Sequence, residues 1–259
     1  MNSSTSLPAQ LLLAGQDALP LTLDQGEGLD VRTGYALQGE GLQQRQARQE
    51  QLSGWKVAFA GSAAQHRFGL SEPVYGVLTD AMAVSEDQPV DLSKLIRPKL
   101  EIEVAFILGQ DLLPDFHSDE ALLAAISEVA PSFEIADSRW QDWIFNAGAF
   151  LADNAAAALY CLGQRQQFVP ERHLQVDYRL QYNGEALGAG FSALDATSPQ
   201  SILCWLIRRL LADRQPLRAG QVILSGALLP PLDIQSGLYR LSMLGTDTLL
   251  RFHAGLHKD

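Results

Sequence analysis

The sequence predicts a mixed α/β (α+β) fold in which a smaller helical N-terminal region precedes a strand-rich body. Three observations predict it. Residues Pro8 to about Gly54 read mainly as helix, with LLLAG near the start and a polar, Gln- and Arg-rich run from Gln43 to Gln51. From Leu100 to Leu108 the apolar residues alternate, with Ile102, Val104, Phe106 and Leu108 on one face and Glu101, Glu103 and Ala105 on the other. The same alternation returns in SFEIADSRW, where Ser132, Glu134 and Ala136 interleave with Phe133, Ile135 and Asp137. The chain divides on this reading into a cap region, residues 1–54, and a body, residues 55–259, and no internal repeat or composition break marks a separate second domain.

Composition narrows the class. The chain has 259 residues, 47% of them apolar, enough to fill an ordinary core. Thirty acidic against nineteen basic residues give a net charge of -11, and no basic run that would track phosphates is present, which argues against a nucleic-acid partner. MNSSTSLPAQLLLAG has no cation ahead of its short apolar run, and no later segment approaches the ~20 apolar residues of a membrane span. The expected setting is the cytoplasm, with no membrane partner. Cys161 and Cys204 lie in the apolar settings YCLG and LCWL, as reduced core cysteines do.

Taken in order, the first strand is GWKVAFAG, where Trp55, Val57 and Phe59 alternate with Lys56, Ala58 and Ala60, so Lys56 points away from the bulky face. From residues alone, Lys56 runs its stem along the sheet and pairs with a nearby acid. PVYGVLTDAM follows, with a turn-like Tyr75-Gly76 and an acid, Asp80, placed to cap the end of a strand. A helix is expected from about Ser118 to Val129, stopped by Pro131. Trp140 and Trp143 are spaced for one helical face and read as core or wall. QVDYRLQYNGEAL reads as strand, turn and strand around an Asn183-Gly184 hairpin signal. Ser198 offers an N-cap and Pro199 the first position of a helix whose apolar face is Ile202, Leu203, Leu206 and Leu210, ending near Gln215-Pro216. The five histidines are scattered without metal-type spacing.

Glu101 and Glu103 share one side of a strand at about 7 Å between Cα atoms, and like charges in so apolar a strand need a cation between them or water around them. A divalent metal is one reading; an edge strand with a wet second face, its charge screened by Lys99, is the other. Glu134 is a third acid in an apolar strand. Three carboxylates with no His or Cys among them form an oxygen-only set suited to Mg²⁺ or Mn²⁺ and poorly suited to zinc.

LEIEVAFILGQDL, followed by FEIADSR and then LADNAAA, resembles the hydratase and decarboxylase branch of the fumarylacetoacetate hydrolase superfamily, whose members include 2-keto-4-pentenoate hydratase, 2-oxohept-3-ene-1,7-dioate hydratase and 4-oxalocrotonate decarboxylase. The resemblance spans about Pro8 to Phe252, is strongest from Gly54 to Gly163, and weakens where the family has a Gly-Asp pair and this chain has Ser236-Gly237. It implies a fumarylacetoacetate hydrolase-like body, a mixed β-roll or barrel. It also implies Glu101, Glu103 and Glu134 as ligands of Mg²⁺ or Mn²⁺, and Lys56 as an active-site ammonium that compensates an anionic 2-oxo acid.

The remaining assignments also follow from the resemblance. Asp80 is either the strand cap or a general base, or the group that orients Lys56. Asp153 and Asn154 belong to a tight turn beside the metal. Ser225-Gly226 either brings backbone amides to a substrate carboxylate or only turns the strand. Arg139, if the substrate is a diacid, is a candidate for its far carboxylate, and otherwise an ion-pair partner.

The implied reaction is hydration of a 2-hydroxyalka-2,4-dienoate in aromatic-compound catabolism, giving a 4-hydroxy-2-oxo acid. Loss of CO₂ through the same dienolate, as in 4-oxalocrotonate decarboxylase, ranks second. C–C hydrolysis of an acylpyruvate ranks third, since it asks for a His-Glu type base that the strong blocks lack, and a non-catalytic family member is the alternative of another class. A homo-oligomer is expected, with a pathway enzyme as a further partner.

Overall fold

In the computed structural model the chain is described over residues 5–115, 117–143 and 146–255. Its helices are α1 (Leu7–Asp17), α2 (Val31–Ala47), α3 (Ser62–Arg67), α4 (Asp119–Ala124), α5 (Ala147–Ala152) and α6 (Pro199–Ala212). Strands β1 (Leu52–Ala58), β2 (Val74–Thr79), β3 (Ala83–Val84) and β4 (Val90–Asp91) precede the two long central strands, β5 (Lys99–Leu108) and β6 (Ile126–Ala136). After them come β7 (Ala157–Leu162), β8 (Gln166–Gln167), β9 (Asp177–Tyr182), β10 (Glu185–Phe191), β11 (Val222–Leu224), β12 (Leu232–Asp233), β13 (Gly237–Met243) and β14 (Thr246–His253).

The larger sheet runs β2-β1-β11-β5-β6-β7-β3, with β12 added to β5 and β8 to β6; the smaller runs β10-β9-β13-β14-β4. Most neighbours are antiparallel, and only β1–β11, β3–β7 and β4–β14 pair in parallel, so the mixed α/β architecture with a dominant curled sheet holds and a doubly wound parallel sheet does not.

Strand β5 lies between β11 and β6, and apolar side chains cover both of its faces. Ile102, Val104, Phe106 and Leu108 join the main core with Trp55, Phe133, the buried face of α6 and the inner side of the smaller sheet, while Ala105 and Ile107 join a second cluster with Leu78, Tyr160 and Leu224. The wet-edge reading of the Glu101–Glu103 pair therefore fails. Lys99, its supposed screen, is instead paired with Asp233 at 2.6 Å.

The helix expected over Ser118–Val129 stops at Ala124, and β6 begins at Ile126 and runs straight through Pro131. A proline in a central strand lacks an amide to donate. The loss is small here, because the Pro131 carbonyl accepts from the Gly163 amide at 2.9 Å, so the backbone of the proline faces β7 rather than β5, one position beyond the last β6–β7 pair, Ser132–Leu162.

Local signals otherwise act as their chemistry demands. Asn183 and Gly184, at φ 48° and 89°, make the left-handed two-residue turn between β9 and β10. Ser198 accepts from the Ser201 amide and Pro199 opens α6. Trp140 and Trp143 share no helix: Trp140 is buried and donates to the Ala149 carbonyl at 3.0 Å, and Trp143 donates to the Arg97 carbonyl at 2.9 Å. The N-terminal helix α2 packs on α5 so closely that a Cβ on Gly34 would lie 2.5 Å from the Gly148 carbonyl oxygen.

Candidate active site

The register of β5 against β6 sets Glu101 directly opposite Glu134, with Glu103 opposite Ser132, so all three acids stand on one face. Lys56 joins that face from β1, because Lys56 pairs with Leu224 of β11 and Leu224 with Ala105 of β5, in one row across the sheet. One carboxylate oxygen from each of Glu101, Glu103 and Glu134 lies within 4.8 Å of the others. The Lys56 ammonium sits 2.8 Å from Glu134 Oε1 and donates to the Ala155 carbonyl at 3.3 Å.

This constellation is almost dry. Glu103 and Glu134 have 0% exposure and Lys56 2%, while Glu101 is partly exposed and opens onto a cavity of about 780 Å³. Desolvation, then the charge of Glu134, raises the Glu101 carboxyl to about 7 against the pull of Lys56. Burial, followed by Glu134 and Glu101, holds Glu103 well above the usual carboxylate range. Burial works against the Lys56 charge, but Glu134, Glu101 and Glu103 outweigh it and raise its pKa.

One further fact tests whether the acids fit a cation. Glu103 Oε1 and Glu134 Oε2 are buried with no hydrogen-bond partner, and Glu134 Oε1, although close to Lys56, lacks hydrogen-bond geometry to it. Buried acceptors left without donors are costly, and an oxygen-binding divalent cation at their centre would satisfy all three. The donor set, oxygen only, is the one Mg²⁺ or Mn²⁺ takes.

The surrounding turns hold these groups in place. The Gly226 amide, at φ 93°, donates to Glu103 Oε2 at 2.6 Å, so this glycine orients an acid rather than presenting its N–H to a substrate. Ser225 spends its hydroxyl on Val104. Asn154, Ala155 and Ala156 all have left-handed backbone, φ 53°, 50° and 57°, a rare run for residues with a Cβ. Asn154 secures it, accepting from the Val77 amide at 2.7 Å and donating to the Val77 carbonyl at 2.8 Å, which aims the Ala155 carbonyl at Lys56. Nothing local in the sequence marks that carbonyl as a partner of Lys56.

Two expected site residues lie elsewhere. Asp80 is exposed at the far end of β2, where its Oδ1 accepts from the amides of Gln51 and Ala81 at 2.8 and 2.9 Å. Lys56 pairs with Gly76, four residues back along β2 and roughly 13 Å away at strand spacing, so Asp80 is the strand cap and not a base at this site. Arg139 is buried in a network that engages all three of its guanidinium nitrogens: it pairs with the Asp153 carboxylate and backbone carbonyl and donates to the Asp137 carbonyl at 2.6 Å and the Ala157 carbonyl at 3.0 Å. It does not line the 780 Å³ cavity, and Asp153, its partner, serves that network.

The cavity walls were not foreseen. Phe59, Phe68 and Phe150 form one side, Leu228, Leu229 and Pro230 another, and Lys56, Glu101 and Gly226 the floor. Phe150 is ninety-odd positions from Phe59 in sequence, and no local pattern joins them.

A strand-rich α+β body whose large sheet gathers three carboxylates and a lysine beside one cavity defines a protein of the fumarylacetoacetate hydrolase fold. No family model matches the chain. It is 33% identical over 239 residues to a 2-keto-4-pentenoate hydratase of Burkholderia vietnamiensis (strain G4 / LMG 22486), covering 91% of each chain. It is 32% identical over 231 residues to a 2-hydroxyhexa-2,4-dienoate hydratase of Comamonas testosteroni, covering 88% of this chain and 87% of the other. Among solved structures, the 4-oxalocrotonate decarboxylase from Pseudomonas putida G7, complexed with magnesium and adipate, superposes with a TM-score of 0.88 at 24% identity, covering 97% of this chain and all of that one. The chain belongs to the 2-keto-4-pentenoate hydratase family of the fumarylacetoacetate hydrolase superfamily. Among the described residues no helix is long and apolar enough to cross a membrane.

Proposed function

We propose that the chain is a divalent-metal-dependent hydro-lyase that adds water to a 2-hydroxyalka-2,4-dienoate and yields a 4-hydroxy-2-oxo acid. The observation that carries the reading is the set of buried, donorless oxygens of Glu103 and Glu134 beside a cavity whose floor is Glu101 and Lys56. Glu101, Glu103 and Glu134 would hold Mg²⁺ or Mn²⁺, which when bound supplies positive charge for the carboxylate and C2 oxygen of the substrate.

The chain's own residues do the rest. Lys56 keeps an ammonium at the cavity floor, fixed by Glu134 and the Ala155 carbonyl. It offsets the charge of an anionic substrate that joins three carboxylates, and its raised pKa keeps it a donor there. Gly226 fixes the Glu103 carboxylate through its amide, so that acid needs no reorganisation when the site fills. The apolar walls exclude bulk water from the conjugated part of the substrate and strengthen each of these interactions.

Loss of CO₂ from a vinylogous diacid through the same dienolate is the second reading, favoured by the close superposition on the Pseudomonas putida decarboxylase. Hydrolysis of an acylpyruvate is third, and among the described residues no histidine lines the cavity to support it. We also infer a cytoplasmic homo-oligomer working beside the enzyme that supplies its dienoate. Leu187, Phe191 and Leu194, exposed in and just beyond the edge strand β10, support association.

Turnover of 2-hydroxypenta-2,4-dienoate with Mg²⁺ or Mn²⁺ supplied, with EDTA as the control, tests the reading. The expected product is the hydrated acid, lost with EDTA; CO₂ release from the diacid alone would favour the second reading, and no metal-dependent turnover of either would overturn both.

A further inference from the structure

Five carbons do not account for the cavity. At about 780 Å³ it falls in the range of pockets that enclose drug-sized ligands. Apart from Lys56, Glu101, Lys99 and Arg67, its lining is mostly rings and aliphatic side chains.

The centre of that wall is Phe59, three residues past Lys56. Its backbone is left-handed, φ 57°, an uncommon conformation for an aromatic residue. Its ring stacks on two others, that of Phe68, at the end of the next helix, at 4.5 Å between centroids and tilted 16°, and that of Phe150, from α5, at 4.6 Å and tilted 28°. Leu228, Leu229 and Pro230 bound the other side. The stacking holds the three rings together as one apolar block along the cavity, which suits an apolar group of a ligand.

The charges around the cavity point the same way. Of the three cations that line it, Lys56 is paired with Glu134 and Lys99 with Asp233, at 2.8 and 2.6 Å. The third, Arg67, is exposed at the rim over the face of Phe68, 5.6 Å from its centroid. A second carboxylate at the far end of a substrate would meet only that solvated guanidinium, whose worth is small.

Resting on the hydratase reading above, we infer that the preferred substrate is a monocarboxylic 2-hydroxy-2,4-dienoate carrying a bulky apolar group, aryl or branched alkyl, beyond C6, with Phe59, Phe68 and Phe150 as its specificity-determining wall.

The test compares kcat/KM, with Mg²⁺, for 2-hydroxypenta-2,4-dienoate, its 6-phenyl-hexadienoate homologue and the 1,7-heptadiene-dioate. Each buried methylene is worth about fourfold, so the phenyl compound should exceed the five-carbon acid at least about tenfold, chiefly through KM. That ratio should collapse toward one in Phe59→Ala and, should that variant not fold, in the milder Phe68→Ala. A five-carbon acid used as well as the phenyl compound would overturn the inference, as would a preference for the dioate that disappears in Arg67→Ala. If no dienoate is turned over, the hydratase reading fails, and calorimetry with the saturated acids 2-oxopentanoate and 2-oxo-6-phenylhexanoate still decides this one. Binding at least about tenfold tighter for the phenyl acid supports the apolar wall, and equal affinities refute it.

Discussion

The ammonium of Lys56 stands 2.8 Å from Glu134 Oε1, and among the described residues it is the one cation paired with any of the three acids. Both partners are buried, so neither can turn to water. Lys56→Met should therefore destabilise the metal-free protein by about 3–5 kcal/mol at pH 8, the usual result of removing one partner from a buried pair. Mg²⁺ at saturating concentration should narrow that gap, because a cation among the acids takes over part of the compensation. Thermal melts with EDTA and with Mg²⁺ check this, and an equal penalty in both would show that Lys56 does not balance the acid cluster.

Stability should depend on pH in a direction opposite to that of most carboxylates. The Glu101 carboxyl is raised from 4.5 to about 7, so between those values the folded metal-free protein binds more protons than the unfolded chain. Its contribution is fully present below pH 4.5 and is lost as pH rises through about 7. A cation competes with those protons, so apparent Mg²⁺ affinity should climb across the same window and level off above it. The difference in melting temperature with and without Mg²⁺, followed from pH 5.5 to 8.5, should widen up to about pH 7 and then level off; a constant difference throughout would contradict the protonated, crowded cluster.

Gly76 faces Lys56 across β1 and β2, and its missing side chain matters. A Cβ there would lie 2.6 Å from the Asn154 carbonyl oxygen and 3.2 Å from Lys56 Cδ. Gly76→Ala should displace the left-handed turn that carries the Ala155 carbonyl and tilt Lys56 away from it. Displacements of about 1 Å cost on the order of a hundredfold in activity, so kcat should fall at least tenfold while Mg²⁺ affinity, set by the acids, changes much less. Equal losses in kcat and in metal binding would instead mean general unfolding of the site.

How much of this was legible in the sequence follows from how local each cause is. The alternation in LEIEVAFIL placed Glu101 and Glu103 on one face, and the register then met it with Glu134, because side-chain direction in a strand is a property of the strand itself. Asn183-Gly184 and Ser198-Pro199 were equally readable, since a turn and a helix cap are settled within a few residues. The helix expected through Val129 was not: Ile126, Val129 and Ala130 fit a helical face as well as a buried strand, and the pairing with β5 decides between them. Pro131 looked like a stop because its tolerance depends on where β6 leaves β7: its backbone faces Gly163, thirty-two positions on, just past the last pair of that ladder. Asp80 and Arg139 stayed open between two roles for the same reason. An acid or an arginine next to a motif is given its role by partners that only the fold supplies.

Glu103→Gln separates a cation site from a merely crowded one. Glu103 is buried, its Oε2 accepts from Gly226, and its Oε1 has no donor. A glutamine keeps the shape and can still accept from Gly226, but it removes one charge from the cluster. Metal-free stability should stay the same or rise, since Glu134 and Glu101 then repel less, while Mg²⁺ affinity and activity fall steeply. Calorimetric titration with Mg²⁺ and melts of both proteins check the pair of outcomes. A variant whose melting temperature shifts with Mg²⁺ as much as the parent's would end the assignment of Glu103 as a ligand.

Arg139 offers the converse case, a buried cation near the site that should matter only for folding. Its guanidinium meets the Asp153 carboxylate and carbonyl and the carbonyls of Asp137 and Ala157, four acceptors in a planar fork that a lysine cannot span. Desolvation raises the Asp153 carboxyl to about 6 even with Arg139 beside it, so any loosening of the pair leaves a buried acid poorly compensated. Arg139→Lys should thus lower stability by about 2–4 kcal/mol, within the range for a disrupted buried network. Arg139 lines no part of the 780 Å³ cavity, so the same variant should slow a monocarboxylic and a dicarboxylic dienoate by the same factor. Rates for the two substrates, measured at a temperature where the variant is folded, give the answer: a selective loss on the dicarboxylate would return Arg139 to the substrate site, and an unchanged ratio keeps it in the scaffold.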